Sequence, residues 1–174
     1  ILSLKNSLEY LGYKVNYFSE NKNKLSNVYI IPGVGSFKKA MKLIRKEKID
    51  IFINGLIKKE VPIIGICLGM QILGSWGYEE GKTKGLGLIK ASTKKLNLSD
   101  KNLKPPNIGW KKVKFLKNSN TFLKAFSNKK FYFVHSFAVQ EMENKHVIAT
   151  ANFGKKNFIS AFRKKKNNRI SISS

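Results

Sequence analysis

The stretch Gly65-Ile66-Cys67-Leu68-Gly69 follows the apolar run Val61-Pro62-Ile63-Ile64 and leads into Met70, Ile72 and Leu73, an order that narrows the folds open to this chain. A buried strand must end, turn sharply and start a helix within a few residues, and glycines on both sides of the turn let strand and helix approach closely. Joints of this kind belong to parallel sheets covered by helices. The rest of the N-terminal half agrees. Leu4, Leu8 and Leu11 recur at helical spacing and Gly12 closes the helix. Residues 13–18 alternate like a short strand, residues 28–31 form an apolar β-branched run that stops at Pro32-Gly33, and residues 37–56 read as helical, with an apolar face broken near Lys48.

Beyond about residue 85 the texture changes to short alternating segments, with 86–89, 110–115, 131–134, 147–151 and 158–162 as candidate strands, part of them antiparallel. The expected class is α/β: a doubly wound, mostly parallel sheet flanked by helices, with an antiparallel extension in the C-terminal half. A chain of 174 residues with no internal repeat or low-complexity linker suits one domain. The 34 Lys and Arg against 10 Asp and Glu give a net charge of +24, which by itself would suggest a nucleic-acid or anionic-membrane surface. These bases are mostly Lys dispersed among Asn and Ile, a pattern that A/T-rich codons produce, and no groove-reading motif accompanies them. Nucleic acid is therefore not an expected partner. One Cys and two His leave no metal-ligand cluster of usual spacing and no internal disulfide, so neither a metal nor another cofactor is expected. No apolar run reaches the length of a membrane span and no cleavable leader is visible; a reducing cytoplasm fits best.

The glycine-flanked turn carries chemistry as well as topology. Cys67 sits on a nucleophile elbow at the start of a helix, where unpaired backbone N–H groups and the helix dipole stabilise negative charge. A free Cys is most often a small buried hydrophobe, but the strand before, the helix after and the glycine spacing together favour catalysis. The amide of Leu68 is placed to hold the oxygen of a carbonyl under attack. Pro32-Gly33-Val34-Gly35, at the end of the neighbouring strand, offers a second donor through the N–H of Val34 or Gly35.

These stretches resemble class I glutamine amidotransferases, and in particular the glutaminase subunits of imidazole glycerol phosphate synthases. Pro32-Gly33-Val34-Gly35-Ser36-Phe37, Gly65 to Gln71, Gly85-Leu86-Gly87-Leu88-Ile89, Pro106-Asn107-Ile108-Gly109-Trp110 and Phe131 to Phe137 carry the resemblance along nearly the whole chain. It implies a flavodoxin-like fold and a mechanism in which Cys67 attacks the side-chain amide of glutamine, forms a thioester and releases ammonia. By the same resemblance Gln71, His135, Ser136 and Phe137 hold the α-amino and α-carboxylate groups of glutamine, and a (β/α)₈ cyclase subunit receives the ammonia in histidine biosynthesis.

The chain departs from that family in three places. The family's triad His and Glu stand in a C-terminal His-Pro-Glu, and this chain has none; its two His are His135 and His146, the latter expected at the surface. Allowed codons for residues 167–174, read one base forward, give Ile-Ile-Gly-Phe-Gln-Phe-His-Pro. Residues 1–163 are therefore expected to be the amidotransferase domain and residues 164–174 a frameshifted tail. The family's first strand and Asp-Tyr-Gly-x-Gly-Asn loop would precede Ile1, so the domain reads as N-terminally truncated and aggregation-prone. Finally, Asn107 and Lys111 stand where the biosynthetic family has His and Asn. That difference leaves open a paralogous glutaminase for sugar amination, or a neutral surface exchange at residue 107. The missing triad leaves open a non-catalytic remnant.

Overall fold

The computed structural model describes residues 1–20, 25–96, 105–117 and 119–164. Helix α1 (Leu2–Tyr10) forms on the leucine spacing, yet none of its residues is buried. Residues 13–18 form no strand. Alternation prepares a stretch for a sheet, but a strand exists only where a neighbour takes up its N–H and C=O groups.

β1 (Tyr29–Ile31), α2 (Phe37–Lys46), α3 (Ile49–Lys58), β2 (Ile63–Gly65) and α4 (Leu68–Ile72) follow in turn. β1 and β2 pair in parallel, Tyr29 beside Ile63 and Ile31 beside Gly65, so both strands end at the same edge. The helix expected over 37–56 is two helices, because Lys48 adopts a left-handed conformation with φ 55° and ψ 26°. Ser36 caps α2 by accepting from the Lys39 amide. The break lets the two helices serve different clusters. Phe37, Met41 and Ile44 of α2 pack with Leu68 and Ile72, whereas Ile53 and Leu56 of α3 pack with Ile63, Met70 and Leu73.

The remainder consists of β3 (Trp76–Gly77), β4 (Thr83–Lys84), β5 (Ser92–Lys95), β6 (Asn107–Phe115), the short α5 (Thr121–Lys124), β7 (Lys130–His135), β8 (Phe137–Gln140), β9 (Val147–Phe153) and β10 (Lys156–Phe162). One sheet runs β10-β9-β6-β7, antiparallel throughout; the other runs β4-β3-β5-β8, with β3 and β5 parallel. The expected antiparallel C-terminal extension is present. Its core gathers Val113, Phe133, Ile148, Ala149, Ala151 and Phe158.

Residues 86–89, read as a strand, are not one. The amides of Leu86 and Leu88 donate to the carbonyls of Ile72 and Leu73, so this stretch caps the end of α4. Its approach is close enough that a Cβ on Gly85 would lie 2.2 Å from the Gly74 carbonyl oxygen.

Candidate active site around Cys67

The parallel pair delivers two turns to one edge, the place where open α/β sheets hold their ligands. Ile66 extends the ladder by donating to the Ile31 carbonyl at 3.0 Å, and the chain then reverses at Cys67. Cys67 has φ 55° and ψ −116°. A side chain held at positive φ costs about 1–3 kcal/mol and persists only where the surroundings enforce it. Here the enforcement comes from Gly65 and Gly69, whose missing side chains let α4 lie directly on the strands. The strain has a measurable consequence. Cys67→Gly is expected to raise stability by about 1 kcal/mol, the strain relieved less the extra unfolded-chain entropy of Gly, and urea unfolding would show it.

The half-buried Cys67 lines a cavity of about 230 Å³ together with Gln71, Tyr132, His135, Phe137 and Ser160, among others. Gln71, His135 and Phe137 are thus brought to Cys67 from three separate elements. Ser136 is half-buried and is not among the cavity-lining residues. Val34 and Gly35 lie exposed on the adjoining loop, with Gly35 at φ +98°. The Leu68 amide donates to the Gly33 carbonyl at 3.3 Å. In a trans peptide N–H and C=O point in opposite directions, so the peptide that offers the Gly33 carbonyl to Leu68 turns the Val34 N–H away from it.

His135 donates from Nδ1 to the Phe137 carbonyl at 3.1 Å, and Gln71 Nε2 donates to the same oxygen at 3.1 Å. The other ring nitrogen of His135 lies 3.1 Å from Asn107 Nδ2. Asn107 is 0 % exposed, which corrects the reading of residue 107 as a neutral surface exchange. Burial lowers the pKa of His135 below the ordinary 6.5, with the Phe137 bond acting in the opposite direction. The unfolded chain therefore binds this proton more readily than the folded one. Stability is present above pH 6.5 and is lost as pH falls through the lowered value. Urea unfolding between pH 7.5 and 5 should show this loss in His146→Gln, and a reduced loss in His135→Gln.

His146 is half-buried, not a free surface residue, because β9 and β10 bring its Nδ1 within 3.2 Å of the Arg163 carbonyl. It does not line the cavity. Sequence reasoning also passed over Glu79, whose carboxylate accepts from the Phe37 amide at 2.7 Å and so anchors the start of α2 just beyond the Gly33–Gly35 turn. Nothing in the local sequence marks Glu79; only the packing of β3 against Phe37 brings it there. Ser160 was legible only as a polar residue in an apolar strand. Its hydroxyl is buried at a bulge in β10.

One face of the β6–β7 pair is exposed beside the cavity, which Tyr132 and Val134 also line. Ile108 faces Val134 and Trp110 faces Tyr132, all four exposed, with the Trp110 and Tyr132 rings 5.7 Å apart. Alternation puts Asn107, Phe133 and His135 on the opposite, inner face.

The family model described as glutamine amidotransferase class-I matches residues 2–172. The chain belongs to the class I glutamine amidotransferases. It is 44% identical over 140 residues to the imidazole glycerol phosphate synthase subunit HisH of Leptospira borgpetersenii, covering 78% of this chain and 68% of the relative. It is 36% identical over 165 residues to HisH 1 of Campylobacter jejuni serotype O:23/36, covering 93% and 80%. A crystal structure of a glutamine amidotransferase superposes with a TM-score of 0.66 at 16% identity, covering 98% of this chain and 80% of that one, and shows the same fold.

Proposed function

We propose that this chain is the glutamine-hydrolysing subunit of an imidazole glycerol phosphate synthase, acting in the cytoplasm in histidine biosynthesis. The observation that carries the reading is the strained Cys67 elbow facing one cavity with Gln71 and His135. The HisH relatives support the particular reaction over sugar amination.

Cys67 Sγ attacks the side-chain carbonyl carbon of glutamine, and the resulting oxyanion is held by backbone N–H groups. Collapse expels ammonia and leaves a glutamyl thioester, which water cleaves to glutamate and free thiol. Leu68 supplies one N–H once its bond to Gly33 is given up. Val34 supplies the other if the Gly33–Val34 peptide turns over, a movement that glycines at 33 and 35 permit. Gln71, His135 and Phe137 line the pocket for the amino-acid end of glutamine, with Ser136 between the latter two in the chain. The thiol proton needs a base, and both ring nitrogens of His135 are already engaged. The base is therefore assigned to the His of a frame-corrected tail, with Glu orienting it.

Ammonia must reach its acceptor without escaping to water, which requires a second subunit against the site. The exposed Ile108, Trp110, Tyr132 and Val134 face supports such a partner, a (β/α)₈ cyclase, in a heterodimer. Among the described residues no helix is long and apolar enough to cross a membrane. The test uses a diazoketone analogue of glutamine, an electrophile that alkylates an activated thiol. The chain bound to its cyclase should be labelled at Cys67, with protection by L-glutamine. Trp110→Asp should weaken the complex by about a hundredfold, as expected for a central aromatic anchor. Labelling insensitive to glutamine would count against the reading.

A further inference from the structure

A continuous line of hydrogen bonds runs from β6 to α4 beside the Cys67 cavity, and elementary donor–acceptor logic fixes every group in it. It starts from the Phe137 carbonyl, which can only accept. It takes Nε2 of Gln71 and Nδ1 of His135, each at 3.1 Å. The imidazole therefore carries its proton on Nδ1, and as a neutral ring it has a lone pair on Nε2. Asn107 must then face it with its NH₂ group, at 3.1 Å. The bond is kept although Asn107 Oδ1 is left buried without a partner, so His135 and not the carboxamide oxygen decides how Asn107 is turned. At the other end the Gln71 nitrogen is committed to Phe137, which leaves Oε1 as the carboxamide atom able to meet a ligand in the cavity that Gln71 lines.

We propose that Asn107 and His135 are positioning residues that, through the Phe137 carbonyl, lock the Gln71 carboxamide with Oε1 presented to the α-ammonium group of the substrate. The proposal rests on Gln71 holding the amino-acid end of glutamine. A carboxamide is nearly symmetric in shape but opposite in polarity at its two ends. With the Phe137 carbonyl no longer held in place by His135, Gln71 could offer an NH₂ group that repels an ammonium; with it held, Gln71 offers an acceptor. The cross-strand pairing of Asn107 with His135 ties the lock to the β6–β7 ladder.

The test is nitrogen-15 NMR of the full chain, with His146→Gln used to assign the His135 ring. The parent should show His135 as the Nδ1–H tautomer at neutral pH and a slowly exchanging Gln71 side-chain amide; an Nε2–H tautomer would overturn the proposal. Asn107→Leu removes the donor to Nε2. It should speed exchange of the Gln71 amide and weaken binding of L-glutamine by about tenfold, the loss expected for one positioning hydrogen bond. Binding of glutaramate, which lacks the α-amino group, should be unchanged, and equal weakening of both ligands would indicate a merely structural role. Should Asn107→Leu fail to fold, Asn107→Asp keeps the shape of the side chain. Its carboxylate can only accept, so it demands a proton on Nε2 while Nδ1–H stays on Phe137. His135 should then remain an imidazolium at neutral pH, and a neutral ring in that variant refutes the lock. If the parent shows the tautomer and the protected amide but binds no glutamine, the proposed function falls and the positioning of Gln71 stands.

Discussion

A chain in which residues 167–174 are exchanged for Ile-Ile-Gly-Phe-Gln-Phe-His-Pro followed by Glu is expected to hydrolyse glutamine about 10³–10⁴ times faster than the chain as it stands, when both are bound to the cyclase. The size of the effect follows from what Cys67 has and lacks. In the proposed mechanism the elbow, once the Leu68 and Val34 amides turn to it, binds and polarises an amide. They cannot take the thiol proton or return one to departing ammonia. His135 cannot take that role, since its two nitrogens are spent on Phe137 and Asn107. His146 is turned to the Arg163 carbonyl and lies outside the cavity lining. Removing Cys67 as well, in a Cys67→Ala variant of the corrected chain, should return the rate to the uncorrected level. Equal rates before and after correction would refute the account of the tail, and no hydrolysis from either chain would refute the enzyme reading.

Gly69→Ala should leave little or no folded protein. A Cβ at residue 69 would stand 1.6 Å from the Ile31 carbonyl oxygen, and a Cβ at the facing residue 65 would stand 2.7 Å from the Gly69 backbone. The Ile31 oxygen cannot simply retreat, because it accepts the Ile66 amide that extends the parallel ladder. Relief therefore requires α4 to leave the strands, which would expose Leu68, Met70 and Ile72. The cost should exceed about 4 kcal/mol, a large share of the 5–15 kcal/mol that holds a typical domain together. Circular dichroism and urea unfolding of the purified variant would show it. Gly55→Ala provides the contrast. Gly55 lies within α3 with nothing near its missing Cβ, so Ala there should stabilise by roughly 0.5–1 kcal/mol through helix propensity. A well-folded Gly69→Ala protein would mean that strand and helix do not meet as closely as described.

Much of this was legible in the order of residues because local sterics and periodicity act within a few positions. The spacing of Gly65, Cys67 and Gly69 marked the elbow, and the apolar runs before it marked the parallel pair of β1 and β2. The alternation in 110–115 and 131–134 announced β6 and β7. Where the reading went astray, the deciding partner lay far along the chain. Residues 13–18 alternate but pair with no strand among the described residues, and residues 86–89 spend their amides on the end of α4.

The same division runs through the site. Sequence by itself marked Cys67 as the candidate nucleophile and determined the turn that strains it, because a side chain at positive φ between two close-packed elements needs glycines at fixed spacing. It could not determine that Asn107 is fully buried, that its amide is turned by His135, or that one carbonyl at Phe137 orients Gln71. Those relations depend on the register of β6 against β7 and on the return of β8 to α4. Hydrogen bonds between residues dozens of positions apart are set only when the sheets close.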